Sequence, residues 1–382
     1  MQYPKNIDKF ITFAFTAIVM TALMIARGAL FYYESGDYIY FLRPWIEQYR
    51  TMSFIEGLST RVSNYNPPYT YILNIISKIN YSDLFLIKII SVTFDLILAY
   101  FVMKIVSLKT TSINMHILAF MLTFAIPTVM LNGAMWGQCD SIYSALAVGS
   151  VYFGLSKRSK HAYAFMALAI SFKLQAAFLL PMLPVFVCLK KIKLKDAYIF
   201  LLVYMATLLP AILAGMSIDG TILAYYSQVN YFSSLNMNAV NIWRFVDNVE
   251  YDNFLTMGLY TTGAAVLGLM YFSFVHRERL KENTDIVRLA YLFAVIMPFM
   301  LPKMHDRYYF MADALSVAVF LFDKRRWYVP VVTISCSYLT YAYFLMSGIT
   351  LFDYKTAAIA LFVIIIIVLQ DYVKSLLEKT NF

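Results

Sequence analysis

The stretch LNGAMWGQCDSIYSALAVGSVYFG, residues 131–154, crowds an indole, an amide and a carboxylate (Trp136, Gln138 and Asp140) into the gap between two long apolar runs. Polar and ionisable groups beside membrane spans are costly and mark a functional interior. The whole chain points to lipid as its solvent. It is 61% hydrophobic and only 14% charged, with a mean hydropathy of +0.66, a balance that leaves too little polar surface for a water-soluble domain. The expected fold class is therefore an all-α polytopic membrane protein.

Working outward, apolar runs of membrane-crossing or membrane-entering length occupy 10–26, 84–106, 114–131, 141–156, 162–172, 174–189, 197–214, 254–275, 285–301, 309–322, 327–347 and 355–371. They predict about twelve helices, transmembrane or re-entrant, within an 11–13 range, forming one integral membrane domain over residues 1–382. The run after Lys5 and Lys9 has no small-residue cleavage site and reads as a retained anchor. Cys139, Cys188 and Cys336 are scattered without metal-ligand spacing. The 31 Lys and Arg against 22 Asp and Glu give a net charge of +9, which in a soluble chain would suggest nucleic acid.

Here the basic residues mark a membrane face instead, because short basic loops stay in the cytoplasm. The clusters are KRSK (157–160), KKIKLKD (190–196), HRERLKEN (276–283) and DKRR (323–326), with Lys104, Lys109, Lys374 and Lys379 in keeping. With both termini cytoplasmic, all fall on one side. The interval 161–189 is too short for two full crossings, so it reads as a short helical hairpin turning at SFKLQ (171–175), with Lys173 at an apex inside the protein.

The opposite, extracytoplasmic side collects ESGDYIYFLRPW (34–45), NYNPPY (64–69), MWGQCDS (135–141), FKLQ (172–175), YFSSLNMNAVNIWRF (231–245) and LPKMHDRYYF (301–310). The first external loop, 29–82, is longer than a connector needs to be. Tyr38, Phe41, Leu42, Trp45, Ile46 and Tyr49 recur at helical spacing, as do Tyr69, Ile72, Ile75, Ile76 and Ile79 after Pro67-Pro68, predicting two amphipathic interfacial helices. Asp37 stands where an N-cap would, and a cap residue can also face a cavity.

SGDYIYFLRPW, YNPPYTYIL, MWGQCDSIYSAL, FKLQAAFLLP and PKMHDRYYF together resemble, in order and topological place, the bacterial relatives of GPI-type mannosyltransferases, a branch of the GT-C superfamily of integral membrane glycosyltransferases. The likeness covers about residues 30–315. It implies a GT-C-like bundle in the bacterial plasma membrane and an inverting transfer of a monosaccharide, a mannose-like hexose favoured, from a polyprenyl-phosphate donor. The acceptor it implies is a cell-envelope glycan or lipid-linked glycan, with Asp37 matching the general base. Cys139 and Asp306 depart from the residues expected inside their motifs, which bears on substrate identity.

The residues carry the same chemistry on their own account. Transfer from a glycosyl phosphate needs a base for the incoming hydroxyl and positive charge for the departing phosphate. Asp37 supplies the first. Arg307 is the first choice for the second, for its forked donors, followed by Lys173, Lys303 and His305. Asp140 orients Lys173 or Arg307, or accepts sugar hydroxyls beside Gln138, Gln175, Asn238, Asn241 and Asp306, while Trp136 and Trp243 offer ring faces. No cofactor is required. Asp37, Asp140 and Asp306 would be the ligands of a divalent ion, but no fixed spacing supports one.

Plainer roles compete. Trp45, Trp243 and Trp327 suit an aromatic belt, Lys303 suits snorkelling, and His305 suits a helix-end hydrogen bond. Asp95 suits a structural pairing with Lys88 or Lys104. Asn80-Tyr81-Ser82 matches a glycosylation sequon without meaning in a bacterium. The rival class is a flippase of a lipid-linked sugar, opposed by the one-sided placement of the polar signatures and the absence of repeated halves. Small-residue spacing for helix pairing is not prominent, which favours a monomer without nucleic acid among its partners.

Overall fold

The computed structural model describes residues 5–229, 233–246, 251–346, 348 and 352–378. Lys379 and positions 231 and 232 lie outside the described residues. The chain opens with α1 (Lys5–Leu30). A π-helical turn (Tyr38–Leu42) follows and runs directly into α2 (Arg43–Arg50). Next, α3 (Phe54–Ser59) starts on a capping box in which Ser53 and Glu56 satisfy each other's backbone N–H. The prolines Pro67 and Pro68 open α4 (Pro67–Ser77), where their missing donors cost nothing.

After α4, α5 (Asp83–Ser107) is capped by Ser82. Then α6 (Ile113–Phe124) and α7 (Pro127–Met130), with the π-helical turn Leu131–Trp136 that continues it, form a broken rod bent by 56°. Pro127 explains the break, since the residue before a proline is driven out of helical geometry. Helix α8 (Asp140–Leu155) is enclosed along all its residues, with α5 and α9 (Ser159–Phe172) packed against it. At Lys173 the backbone becomes extended, and a 3-10 turn (Leu174–Leu179) and α10 (Met182–Cys188) follow.

The remainder comprises α11 (Tyr198–Ala214), α12 (Ala224–Val229), α13 (Tyr251–Val275), α14 (Asn283–Met300), α15 (Phe310–Phe322), α16 (Tyr328–Leu345) and α17 (Tyr354–Leu377). A two-residue parallel pair, β1 (Asn236–Met237) and β2 (Met304–His305), joins the connectors before α13 and after α14. The protein is a helical, multi-pass membrane protein.

All twelve predicted apolar runs are helical, but they do not all have crossing length. Among the described residues seven helices are long and apolar enough to cross a membrane, and the broken rod makes an eighth if it counts as one span. At ~1.5 Å per residue, helices of α8, α9 or α15 length fall short of the ~30 Å hydrocarbon layer. Helix α8 needs no lipid-facing length because protein covers it on every side.

The segment 29–82 also differs in detail. Tyr38, Leu42, Ile46 and Tyr49 are buried within the protein, but Phe41 faces outward. In α4 the buried face is Tyr69, Thr70, Leu73, Asn74, Ile76 and Ser77, whereas Ile75 and the following Ile79 are exposed. The isoleucine stripe is thus partly the outer side of the helix, because the polar residues of α4 turn inward to the protein.

The basic turns adjoin one another. Lys109 reaches Thr284 (3.2 Å), Lys191 reaches Asn283 (3.4 Å), Ser159 accepts from the Lys193 N–H (3.0 Å), and Arg288 pairs with Asp323 (3.1 Å). Helix α8 spans from this end, at Leu155, to the opposite end, at Asp140.

Close packing beneath α8 depends on Gly154. A Cβ there would lie 2.2 Å from the Phe186 ring. Gly154→Ala is expected to lower stability by about 1–3 kcal/mol, since an enclosed ring has nowhere to move; thermal unfolding in detergent measures this, and an unchanged midpoint would contradict the packing.

Candidate functional site

The motif WGQCD is shaped by its backbone. The π-helical turn ends at Trp136, and Gly137 takes φ 76°, a left-handed conformation that a glycine adopts at no steric cost. The chain then restarts as α8 at Asp140, placing a carboxylate in the first turn, where the helix dipole favours it. Helix α5 grips the motif through Ser91, whose hydroxyl donates to the Gln138 carbonyl (2.7 Å) while its own carbonyl accepts from Ser141 (2.9 Å).

Asp37 is no N-cap: its side chain makes no capping bond. Its carboxylate crosses to the motif, where Oδ2 accepts from Trp136 Nε1 (2.9 Å), from Gln138 Nε2, and from Arg307 Nη1 (3.2 Å). The side chain remains 20% exposed, and no hydrogen bond from the described residues reaches Oδ1. The preceding turn is fixed by Ser35, which donates to the Trp136 carbonyl (2.6 Å), and by Lys88, whose ammonium donates to the carbonyls of Leu30 (3.0 Å), Phe31 (3.0 Å) and Tyr33 (2.6 Å).

Arg307 sits among three carboxylates: Asp37, Asp140 Oδ2 (3.3 Å from Nε) and Asp306 Oδ1 (3.7 Å from Nη1). Its guanidinium also lies 4.7 Å over the Trp136 ring. Asp140, fully buried, accepts from Asn132 (2.9 Å) and from Lys173. Lys173 is itself buried, with the rings of Tyr65, Tyr143 and Tyr308 between 5.6 and 5.9 Å away. The four side chains predicted to meet, Asp37, Asp140, Lys173 and Arg307, do form one cluster.

The loop carrying Arg307 is braced from three directions. The Lys303 N–H donates to the Leu235 carbonyl (2.8 Å), Tyr309 to the Val240 carbonyl (2.7 Å), and Thr340 to the Asp306 carbonyl (2.8 Å). Burial, with Arg307 and Lys173 nearby, pushes the His305 imidazole down to about 3, so His305 meets a ligand as a neutral ring and not as a cation. Burial pushes the Asp306 carboxyl up to about 6 against the opposing pull of Arg307.

Several expected roles change. Trp136 offers no face to a sugar: it is fully buried, stacked on Phe344 at 4.3 Å and edge-on to Tyr341 at 5.2 Å, and its N–H is what serves the site. Trp243 is buried with its N–H on the Met300 carbonyl (2.8 Å), and Asn241 is consumed by Pro298, Trp243 and Asn236. Neither reads a hydroxyl. Asn238, at φ 70°, accepts from Arg244 (2.6 Å), and Lys303, at φ 62°, places its ammonium 5.5 Å over Tyr251. Gln175 keeps a buried Oε1 without a hydrogen bond. Asp95 pairs with Arg27 (3.5 Å), not with Lys88 or Lys104, because Lys88 is taken by carbonyls and Lys104 lies 5.6 Å over Tyr152.

Asn132 is the principal residue that sequence reasoning passed over. It links Asp140 to the Tyr341 hydroxyl (2.9 Å each). An amide inside an apolar run eight positions before a motif carboxylate was the available signal. The aromatic wall of Tyr65, Tyr143, Tyr308 and Phe344 has no such signal, since aromatic residues abound throughout the chain. Among the described residues no group of three or more His, Cys, Asp or Glu is arranged to hold a metal ion. No family model matches the chain, and no curated protein matches it.

Proposed function

We propose that the protein is a GT-C-type glycosyltransferase that moves a monosaccharide, with a mannose-like hexose favoured, from a polyprenyl-phosphate donor to a hydroxyl of an extracytoplasmic envelope or lipid-linked glycan. The observation that carries this reading is the convergence, in one cluster, of a partly exposed carboxylate, Asp37, with the guanidinium of Arg307. The acceptor O–H gives its proton to Asp37 as its oxygen bonds to C1 of the sugar. The C1–O bond to phosphate breaks, and its electron pair leaves with the phosphate oxygen beside Arg307. Asp140 and Lys173 hold Arg307 in place. An apolar cavity of about 380 Å³, walled by Leu269, Phe272, Phe299 and Phe362 and reaching Met300 at the start of the Arg307 loop, suits the isoprenoid chain. The bacterial plasma membrane, cytoplasmic termini and a site on the outer side belong to the same proposal and rest on the basic turns at one end and the cluster at the other.

The test supplies purified protein in vesicles with radiolabelled mannosyl, glucosyl and galactosyl polyprenyl phosphates and an alkyl-glycoside acceptor. Wild-type protein is expected to transfer at least one sugar, and Asp37→Asn to lose about 10²–10⁴-fold in kcat with donor binding kept. No transfer from any donor, or equal turnover in both proteins, would refute the reading, and movement of intact donor across the vesicle would establish a flippase instead.

A further inference from the structure

We infer that Trp136 and Gln138 are positioning residues that hold Asp37 by Oδ2 alone, so that Oδ1 is the atom that receives the acceptor proton; this rests on the reading of Asp37 as the base. Three donors from two separate parts of the chain converge on one oxygen: Trp136 Nε1 (2.9 Å), Gln138 Nε2 and Arg307 Nη1 (3.2 Å). A free carboxylate spreads its acceptor capacity over both oxygens. Here one oxygen is saturated and the other takes nothing from the described residues, while the side chain is still 20% exposed. That asymmetry fixes the direction from which a hydroxyl approaches.

The anchors are themselves immobile. Trp136 is locked between Phe344 and Tyr341 with its carbonyl on Ser35, and the Gln138 backbone is tied to Ser91. The Gln138 amide oxygen faces the Tyr65 hydroxyl at 3.5 Å. Neither the indole nor the amide needs to touch a substrate. Each acts through Asp37, where a misplacement of ~1 Å can cost ~10²-fold in rate. Arg307 pairs with Asp37, Asp306 acts on it electrostatically and Asp140 shares the same guanidinium; none of these groups is changed by the substitutions.

Two variants test this. Trp136→Phe keeps an aromatic ring against Phe344 but removes the N–H, and Gln138→Met keeps length and removes the amide. In the vesicle transfer assay, with whichever donor the wild type uses, each is expected to lower kcat about 10–100-fold while the KM for donor stays within twofold. A purely structural role would lower the unfolding temperature and leave the kcat of the folded protein unchanged. Wild-type kcat in both variants, alongside an inactive Asp37→Asn, would overturn the positioning role and leave the base role standing. An active Asp37→Asn would overturn both.

Discussion

Arg307→Met is expected to abolish sugar transfer and to destabilise the fold by about 3–5 kcal/mol, the range for removing one partner of a buried ion pair. The guanidinium is the shared counter-charge of Asp37, Asp140 and Asp306, while Lys173 forms its ion pair with Asp140. Without it, three carboxylates face one another in a poorly solvated cluster where like charges repel strongly. Arg307→Lys separates the two consequences. A lysine restores one positive charge, so most of the stability is expected to return. It cannot place three nitrogens in fixed directions toward Asp37, Asp140 and a ligand at once. The transfer rate is therefore expected to stay ~10²–10³-fold below wild type, the cost of losing an aligned donor to developing negative charge. Unfolding temperature and kcat measured on both variants check this. A stable Arg307→Met protein that transfers sugar at the wild-type rate would remove Arg307 from both the architecture and the mechanism.

The pattern that made Arg307 legible is local: HDRYY is a charged, aromatic segment between two apolar runs, and chains in lipid place such residues only where they are needed. The same holds for Asp37, Asp140 and Lys173, each read from polar residues at the edges of hydrophobic segments. What remained hidden depends on distance or direction. Asp95 meets Arg27 across 68 positions because the bend at Pro127 lets Phe124 and Gly133 close around the pair, a geometry no periodicity encodes. Trp136 looked like a sugar platform because an indole is both a flat face and a donor, and its packing against Phe344 decides between them. In α4, hydrophobicity pointed outward to a surface that lipid rewards as readily as protein does, so amphipathicity could not choose the buried side. Which apolar runs have crossing length stayed hidden for a related reason: a short apolar helix such as α15 reads like a span until its neighbours are known.

Asp95→Leu is expected to cost about 3–5 kcal/mol, and so is Arg27→Met, whereas the double variant is expected to recover most of that loss. Both side chains are essentially inaccessible, at 1% and 0% exposure. Arg27 also donates to the Phe124 carbonyl (2.6 Å) and lies 3.6 Å over the Phe124 ring. A single substitution leaves one charge buried without its counter-charge, which is the expensive state. Replacing both charges with apolar groups of similar volume removes the desolvation cost together with the attraction. The pair has a positional role beyond its energy. Helix α1 buries little of its length, and Arg27 fixes its end just before Lys88 gathers the next carbonyls and the chain reaches Asp37. If α1 is docked chiefly by this pair, the double variant regains its unfolding temperature but transfers sugar more slowly, because Asp37 is no longer delivered to a defined place. A single Asp95→Leu as stable as the wild type would show that the ion pair does not hold α1. A double variant with full stability and full activity would show that the carbonyls on Lys88 alone set the position of Asp37.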